Sequence, residues 1–376
     1  MEIYGKKYAV KELRRRVGNM GQIAGVRTVQ LDDGNERPAR AAIIHTGSGL
    51  ELTLLLDKCL DIASASFCGK AMGWRSSTGD VAPQYYEAEW LRWLRSFQGG
   101  LVGTCGLMNV GAPDEESGLL GTGLHGRIGN APARDIKITQ EWHGNSYVLS
   151  VSGLMRETVV FGENLTLARE VSTTLGERRF WIHDVVTNEG FNNAKFQLLY
   201  HINIGWPAVD AGSEMIMPSR CVAPRDPQAE DGKRDHHKID PPTHKYAEKV
   251  YYHDMATARN GDVTVAIVND GFDHGGEGFG VYAKYNKNEL PRFAEWKQMG
   301  EQDYVVGFEP CNCSVEGRGV DRKLGLLHTI RAGESKHFHL EFGPITDVRQ
   351  VRALRAARRK IKTKYVDHYT EFVKKP

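Results

Sequence analysis

The feature that most constrains this chain is a long succession of short alternating segments punctuated by glycine and polar turns. Residues 41–45 and 50–56 flank Gly47-Ser48-Gly49, the arrangement of a hairpin. Residues 147–153, 165–171 and 180–186 alternate apolar and polar in steps of two and are rich in β-branched or aromatic residues, and 262–269 and 337–342 continue the pattern. Successive side chains of a strand point to opposite faces, so each segment has one face to bury, and only strand pairing with a second layer can do that. Turn signals at 175–177 and 188–190 fall between strands, and 41 glycines suit many tight connections. The expectation is an all-β protein, a large antiparallel β-sandwich, forming one domain over residues 1–376.

Helical spacing occurs in three places. Residues 4–16 form a short charged stretch, and 85–97 (YYEAEWLRWLRSF) carry aromatic and leucine residues at helical intervals. Residues 347–364 place Val348, Val351, Leu354 and Ile361 on roughly one face with arginines opposite, which predicts a solvated C-terminal helix. Residues 224–245 are polar, contain Pro241-Pro242, and read as an excursion over one end of the sandwich.

With 49 basic and 47 acidic residues the formal net charge is +2, which gives no electrostatic case for a nucleic-acid or membrane partner. No run reaches the ~20 apolar residues of a membrane helix, and the first sixteen residues are charged and lack an apolar core, so a cytoplasmic protein is expected. The six cysteines are scattered, and Cys311-Asn312-Cys313 has neither zinc-ribbon nor redox spacing. His236, His237 and His244 suggest metal binding, but adjacent histidines on an extended chain point apart, and the cluster reads as part of a polar loop. Gly275-Gly276-Glu277-Gly278-Phe279-Gly280 has Gly-x-Gly patterns without a surrounding βαβ unit, so a phosphate cradle is not expected. Neither a cofactor nor a metal is anticipated.

Four segments, in order, resemble the aldose 1-epimerase (galactose mutarotase) superfamily: Gly123-Leu124-His125-Gly126-Arg127-Ile128-Gly129; Val186-Thr187-Asn188-Glu189-Gly190 with Phe196 to Asn203; Val306-Gly307-Phe308-Glu309-Pro310-Cys311; and Leu327 to Glu334. Together they span about residues 40–345. Residues 57–62 and 99–107 fit a divergent branch of that superfamily better than its galactose-specific members, and the adjacent Asn-Arg pair of those members is not found before the first His. The resemblance implies a mutarotase-like supersandwich acting on a free sugar or simple derivative, with His201 as catalytic acid and Glu309 as catalytic base. It leaves the sugar unnamed.

Opening a hemiacetal requires one group to take the anomeric hydroxyl proton while another protonates the ring oxygen, and closure reverses the roles. An imidazole titrates near neutrality, suiting His201, and a groove can tune the pKa of Glu309. A carboxylate in the apolar run 305–308 is costly to bury unless paired or used. His125 is a candidate ligand for sugar hydroxyls, Arg127 for a hydroxyl or carboxylate, and Asn203 for a further polar contact. Trp206 could stack on a sugar face, and Lys58, Asp61 and Arg75 flank an early strand that could reach the groove. Each has a plain structural alternative, whether core histidine, loop cap, surface ion pair or core aromatic. Two rival functions remain: proton transfer on carbon of a keto-sugar by the same pair, and sugar binding without catalysis. The oligomeric state is left open, a homodimer among the options.

Overall fold

A computed structural model describes residues 1–116, 119–272 and 278–376. Gly275 to Glu277 of the glycine-rich run therefore lie outside the described residues. Strands form where the sequence alternates. The first sheet contains β1 (Gly25–Gln30), β2 (Arg40–His45), β3 (Leu50–Leu55) and β4 (Asp61–Phe67), paired in sequence order, with the β2–β3 turn at the anticipated hairpin. Two larger sheets follow. One contains β5 (Gly103–Leu107), β10 (Ala194–Ile204), β12 (Ser219–Pro224), β13 (Lys249–Met255), β16 (Arg292–Met299), β17 (Tyr304–Cys311) and β19 (Lys364–Tyr365). Its order is β5-β10-β17-β16-β13-β12-β19, antiparallel except for the final pair. The other contains β6 (Arg134–His143), β7 (Ser146–Thr158), β8 (Asn164–Thr174), β9 (Phe180–Asn188), β11 (Glu214–Ile216), β14 (Asp262–Asn269), β15 (Phe279–Asn286) and β18 (Ser335–Ile345), ordered β6-β7-β8-β9-β18-β15-β14-β11. The antiparallel sandwich anticipated from the alternation is the architecture observed.

The two large sheets bury their facing side chains in one core, to which Val151, Phe180, Ile182 and Phe342 come from one and Phe196, Ile202, Phe293 and Phe308 from the other. Each such side chain contributes roughly 1.5–3 kcal/mol on burial. On β9 every second residue is buried, as expected of a sheet with one wet face. On β17 all eight residues are buried, and on β10 the last nine, so the outer face of this sheet is covered as well. That covered outer face carries the site.

Helix content differs from expectation. Only Val10–Arg14 of the first charged stretch is α-helical. Residues 85–97 contain no α-helix; two short 3₁₀ turns, Pro83–Tyr85 and Arg92–Ser96, stand there instead. The Ser96 carbonyl accepts from the buried Lys58 ammonium at 2.6 Å, and Trp93 stacks on Phe97 with ring centroids 4.4 Å apart, so the aromatic spacing serves a wall rather than a helix face. The C-terminal helix runs Val348–Arg359, capped by the Asp347 side chain and buried at Val351 against Ile216 and Val268. Beyond it β19 joins the sheet edge. Among the described residues no helix is long and apolar enough to cross a membrane.

Candidate active site

On β10, Phe196, Leu198, Tyr200, Ile202 and Ile204 enter the core, so Gln197, Leu199, His201 and Asn203 face outward. On β17, Val306 and Phe308 enter the core, leaving Gly307, Glu309 and Cys311 outward. The β10–β17 register sets Leu199 against Cys311 and Ile202 against Phe308, which makes His201 and Glu309 cross-strand neighbours on the outer face. His201 Nε2 lies 3.3 Å from Glu309 Oε1. Gly307 makes room for the carboxylate, because a Cβ there would meet Glu309 Oε1 at 2.7 Å.

Asn203 sets the histidine's tautomer. Its amide nitrogen donates to the carbonyls of Gly100 and His201, at 3.1 and 2.9 Å, so its oxygen is the atom 2.5 Å from His201 Nδ1 and accepts that N–H. The Nε2 lone pair then faces Glu309, and a bare carboxylate there would be repelled. Burial pushes the Glu309 carboxyl well above its usual range, with Cys311 adding to the effect, and burial lowers His201 to about 4 despite the Asn203 hydrogen bond. Burial thus favours the uncharged form of both residues, with Nε2 the acceptor that faces the Glu309 carboxyl.

The pair lies at a cavity of about 580 Å³. Its aromatic wall is Trp74, Trp93, Phe97 and Trp296; the rings of Phe97 and Trp296 stand edge-on to His201 at 5.2 and 5.3 Å. Its polar side is made by residues 76–78 together with Arg225, Glu248, Gln298 and Asp303. Arg225 pairs with Asp226 and Glu248, and Glu248 also accepts from Trp296 Nε1 at 2.8 Å. Arg225 thus brings one end of the 224–245 excursion into the cavity.

His125 also lines the cavity, its ring centroid 5.8 Å from that of His201. It sits at φ +56° with Gly126 at +72°, a left-handed pair that turns the chain back beside Gly111. The Gly111 N–H donates to its Nδ1 at 3.3 Å, so Nε2 carries the proton as a donor. Burial, and then the neighbouring His201, lower His125 to about 3 and keep it neutral.

Five other candidates lie elsewhere. Arg127 is exposed beyond the His125–Gly126 turn; its own N–H bonds the Gly106 carbonyl, and its charge acts on Tyr86 and Glu157 rather than on the cavity. Trp206 is 61% exposed and edge-on to Phe272, because Gly205 packs against Trp74, which takes the place at the wall. Lys58 is buried behind that wall, bonded to the Ser96 carbonyl and Gln98 Oε1. Arg75 pairs with Asp80 and reaches the Ala63 carbonyl at the base of the 76–78 loop. Asp61 faces inward, bonded to Thr104 and to Arg169. Trp74, Trp93 and Trp296 carried no sequence signal separating them from core aromatics.

Sandwich and groove together define the class by its fold: a galactose mutarotase-like β-sandwich. The chain belongs to the family described as "Domain of unknown function (DUF4432)", whose model matches residues 36–343. Among solved structures, a candidate aldose 1-epimerase from Klebsiella pneumoniae subsp. pneumoniae MGH 78578 is 24% identical, with a TM-score of 0.85 over 93% of this chain and 91% of that one. A galactose mutarotase-like protein from Clostridium acetobutylicum is 10% identical (TM-score 0.58, 86% and 99% covered), and galactose 1-epimerase from Lactobacillus acidophilus NCFM is 14% identical (0.51, 85% and 98%). At these identities the likeness carries the fold. No curated protein matches the chain in sequence.

Proposed function

We propose that the protein is a cofactor-free isomerase that interconverts the anomers of a free sugar or simple derivative, with His201 and Glu309 as the acid–base pair. The observation that carries this reading is the 3.3 Å contact between the His201 imidazole and the Glu309 carboxyl group beside an aromatic-walled cavity, and in this reading Glu309 begins with the proton. Transfer of that proton from Glu309 to Nε2 makes Glu309 the base and His201 the acid. Glu309 then takes the proton of the anomeric hydroxyl while His201 protonates the ring oxygen, and the C1–O5 bond breaks to give the open aldehyde. Rotation about the C1–C2 bond presents the other carbonyl face. Ring closure returns both protons, leaving the pair as it began. His125 Nε2–H supplies a neutral donor for a hydroxyl, and Trp296 and Trp74 supply faces for the apolar side of the sugar.

NMR exchange between anomers tests this, since the uncatalysed rate provides its own baseline. The expected result is acceleration of at least one aldose in a panel of free sugars. If no aldose equilibrates faster than its uncatalysed rate while a keto-sugar exchanges carbon-bound hydrogen for deuterium, the pair moves protons on carbon instead. Binding without turnover of any sugar would make the protein a carbohydrate-binding sandwich.

A further inference from the structure

We propose that His236, His253 and Glu295 form a binding site for a divalent transition-metal ion, Zn²⁺ by preference, on the core-facing side of the sheet that carries the pair. The strand register places it there. Glu295 is opposite Tyr251, and His253 is opposite Phe293, a core residue. Glu295 therefore points the opposite way from Ala294, which stands beside Glu309, and from Trp296 in the cavity wall. His236 arrives from the 224–245 excursion and is buried, not solvated as its polar surroundings in sequence suggest.

The ligand atoms of the three residues all lie within 4.8 Å of one another. His236 Nδ1 is 2.7 Å and His253 Nε2 is 3.2 Å from Glu295 Oε2. Tetrahedral zinc, about 2 Å from each ligand, needs ligand atoms about 3.4 Å apart, so only small side-chain shifts are required. His253 Nδ1 is 2.8 Å from Ser219 Oγ, the outer partner that orients a metal-binding imidazole.

Hydrogen bonding inside the triad accounts for the His236–Glu295 contact and little more. His253 Nε2 meets Glu295 Oε2 at 3.2 Å but out of line for a hydrogen bond, and Glu295 Oε1 and the hydroxyls of Tyr246 and Tyr251 are buried without a partner. Tyr251 stands opposite Glu295 in the strand register, its ring centroid 5.5 Å from that of His236. These are four of the eight such atoms among the described residues, three of them on Glu295 and its neighbours His253 and Tyr251. Buried polar atoms are rarely left unpaired, and such a concentration points to a missing partner. The setting is dry: His236 and His253 are 3% exposed and Glu295 is 0% exposed. The nitrogen–nitrogen–oxygen set suits Zn²⁺ and disfavours Ca²⁺ or Mg²⁺. Bound there, the ion would clamp the excursion and β13 to β16.

The test uses the full-length protein as purified. Its metal content is measured, the metal is removed with a chelator, and Zn²⁺ or Co²⁺ is titrated back while melting temperature and the visible Co²⁺ spectrum are followed. The expected result is one ion per chain, a fall in Tm on removal, recovery on addition, and intense ligand-field bands. His236→Gln and His253→Gln should abolish stoichiometric binding. The exposed histidine stack of His183, His337 and His339 is the competing place for an adventitious ion. Binding that survives His236→Gln but is lost in His183→Asn overturns the proposal, as does wild-type protein that takes up neither ion. If the buried variants do not fold, anomalous scattering from Co²⁺-soaked wild-type crystals gives the same decision by position.

Discussion

Nε2 of His201 stands 3.3 Å from Oε1 of Glu309, on strands whose register makes the two residues neighbours on the sheet face turned away from the core. With Asn203 accepting the Nδ1 proton, Nε2 must take its proton from Glu309 before both groups can work, and the expected outcomes below follow from that geometry.

His201→Asn and Glu309→Gln should each lower turnover by ~10²-fold or more with the fold retained, because both substitutions keep shape but remove proton transfer. The double variant should be little worse than either single one, since the two act as a unit. Anomer exchange by NMR measures this. A single variant as fast as the parent would sink the pairing.

Asn203 bonds His201 Nδ1, so its variants should act through the histidine and reveal that in a pH profile. Asn203→Asp places a carboxylate 2.5 Å from Nδ1 and stabilises the imidazolium, so the acidic limb of the rate profile should move to higher pH. Asn203→Ala should lower kcat more than it raises KM. A merely structural role would leave the position of the limb unchanged in Asn203→Asp.

Stability should respond to pH from both ends. His201 and His125 are depressed to about 4 and about 3, below the unfolded value near 6.5. The stability they contribute is present above pH 6.5 and is lost as pH falls through those values, so His125→Gln should flatten the acid fall in Tm. Glu309 is raised, so its contribution is present at low pH and is lost as pH rises through its folded value. Glu309→Gln should therefore melt higher than wild type at alkaline pH. Parallel Tm curves for wild type and both variants would refute this account.

Trp296→Leu should raise KM for the sugar roughly tenfold, about 1.4 kcal/mol of lost ring contact and wall order, since Trp296 packs on His201 and Trp74 and anchors Glu248. Trp206→Ala should change neither KM nor kcat, because that ring is 61% exposed outside the cavity. An effect at Trp206 matching that at Trp296 would mean the sugar lies elsewhere.

Gly307→Ala should cut turnover at least tenfold in a folded protein. The added methyl falls 2.7 Å from Glu309 Oε1 and 3.0 Å from Trp296 Cβ, so the carboxylate must leave its place beside His201. Unchanged kcat would show that the carboxylate position is not critical.

Alternation with a period of two was enough to read the sandwich, because a strand with one apolar face has few other ways to bury it. Apolar runs, and the resemblance rather than the alternation, singled out His201 and Glu309 on their strands, and the segments that carry the resemblance, about residues 40–345, cover nearly the same stretch as the family match over 36–343. The same local reading failed at residues 85–97. There the spacing of Tyr, Trp and Leu is helical, yet Trp93 and Phe97 turn toward His125 and His201, and contacts with Lys58, distant in sequence, set the backbone.

Local patterning settles which faces are apolar, and with them the fold class and two strands bearing a histidine and a glutamate. The tertiary structure alone decided what meets across those strands. Register is a pairing between segments more than a hundred residues apart, so nothing local specifies that Glu309 stands beside His201, or that Trp74 rather than Trp206 walls the cavity. His236 in its polar loop and Glu295 in its strand likewise carry no local sign of their neighbour, because burial and proximity are properties of the packed sheet and not of either segment.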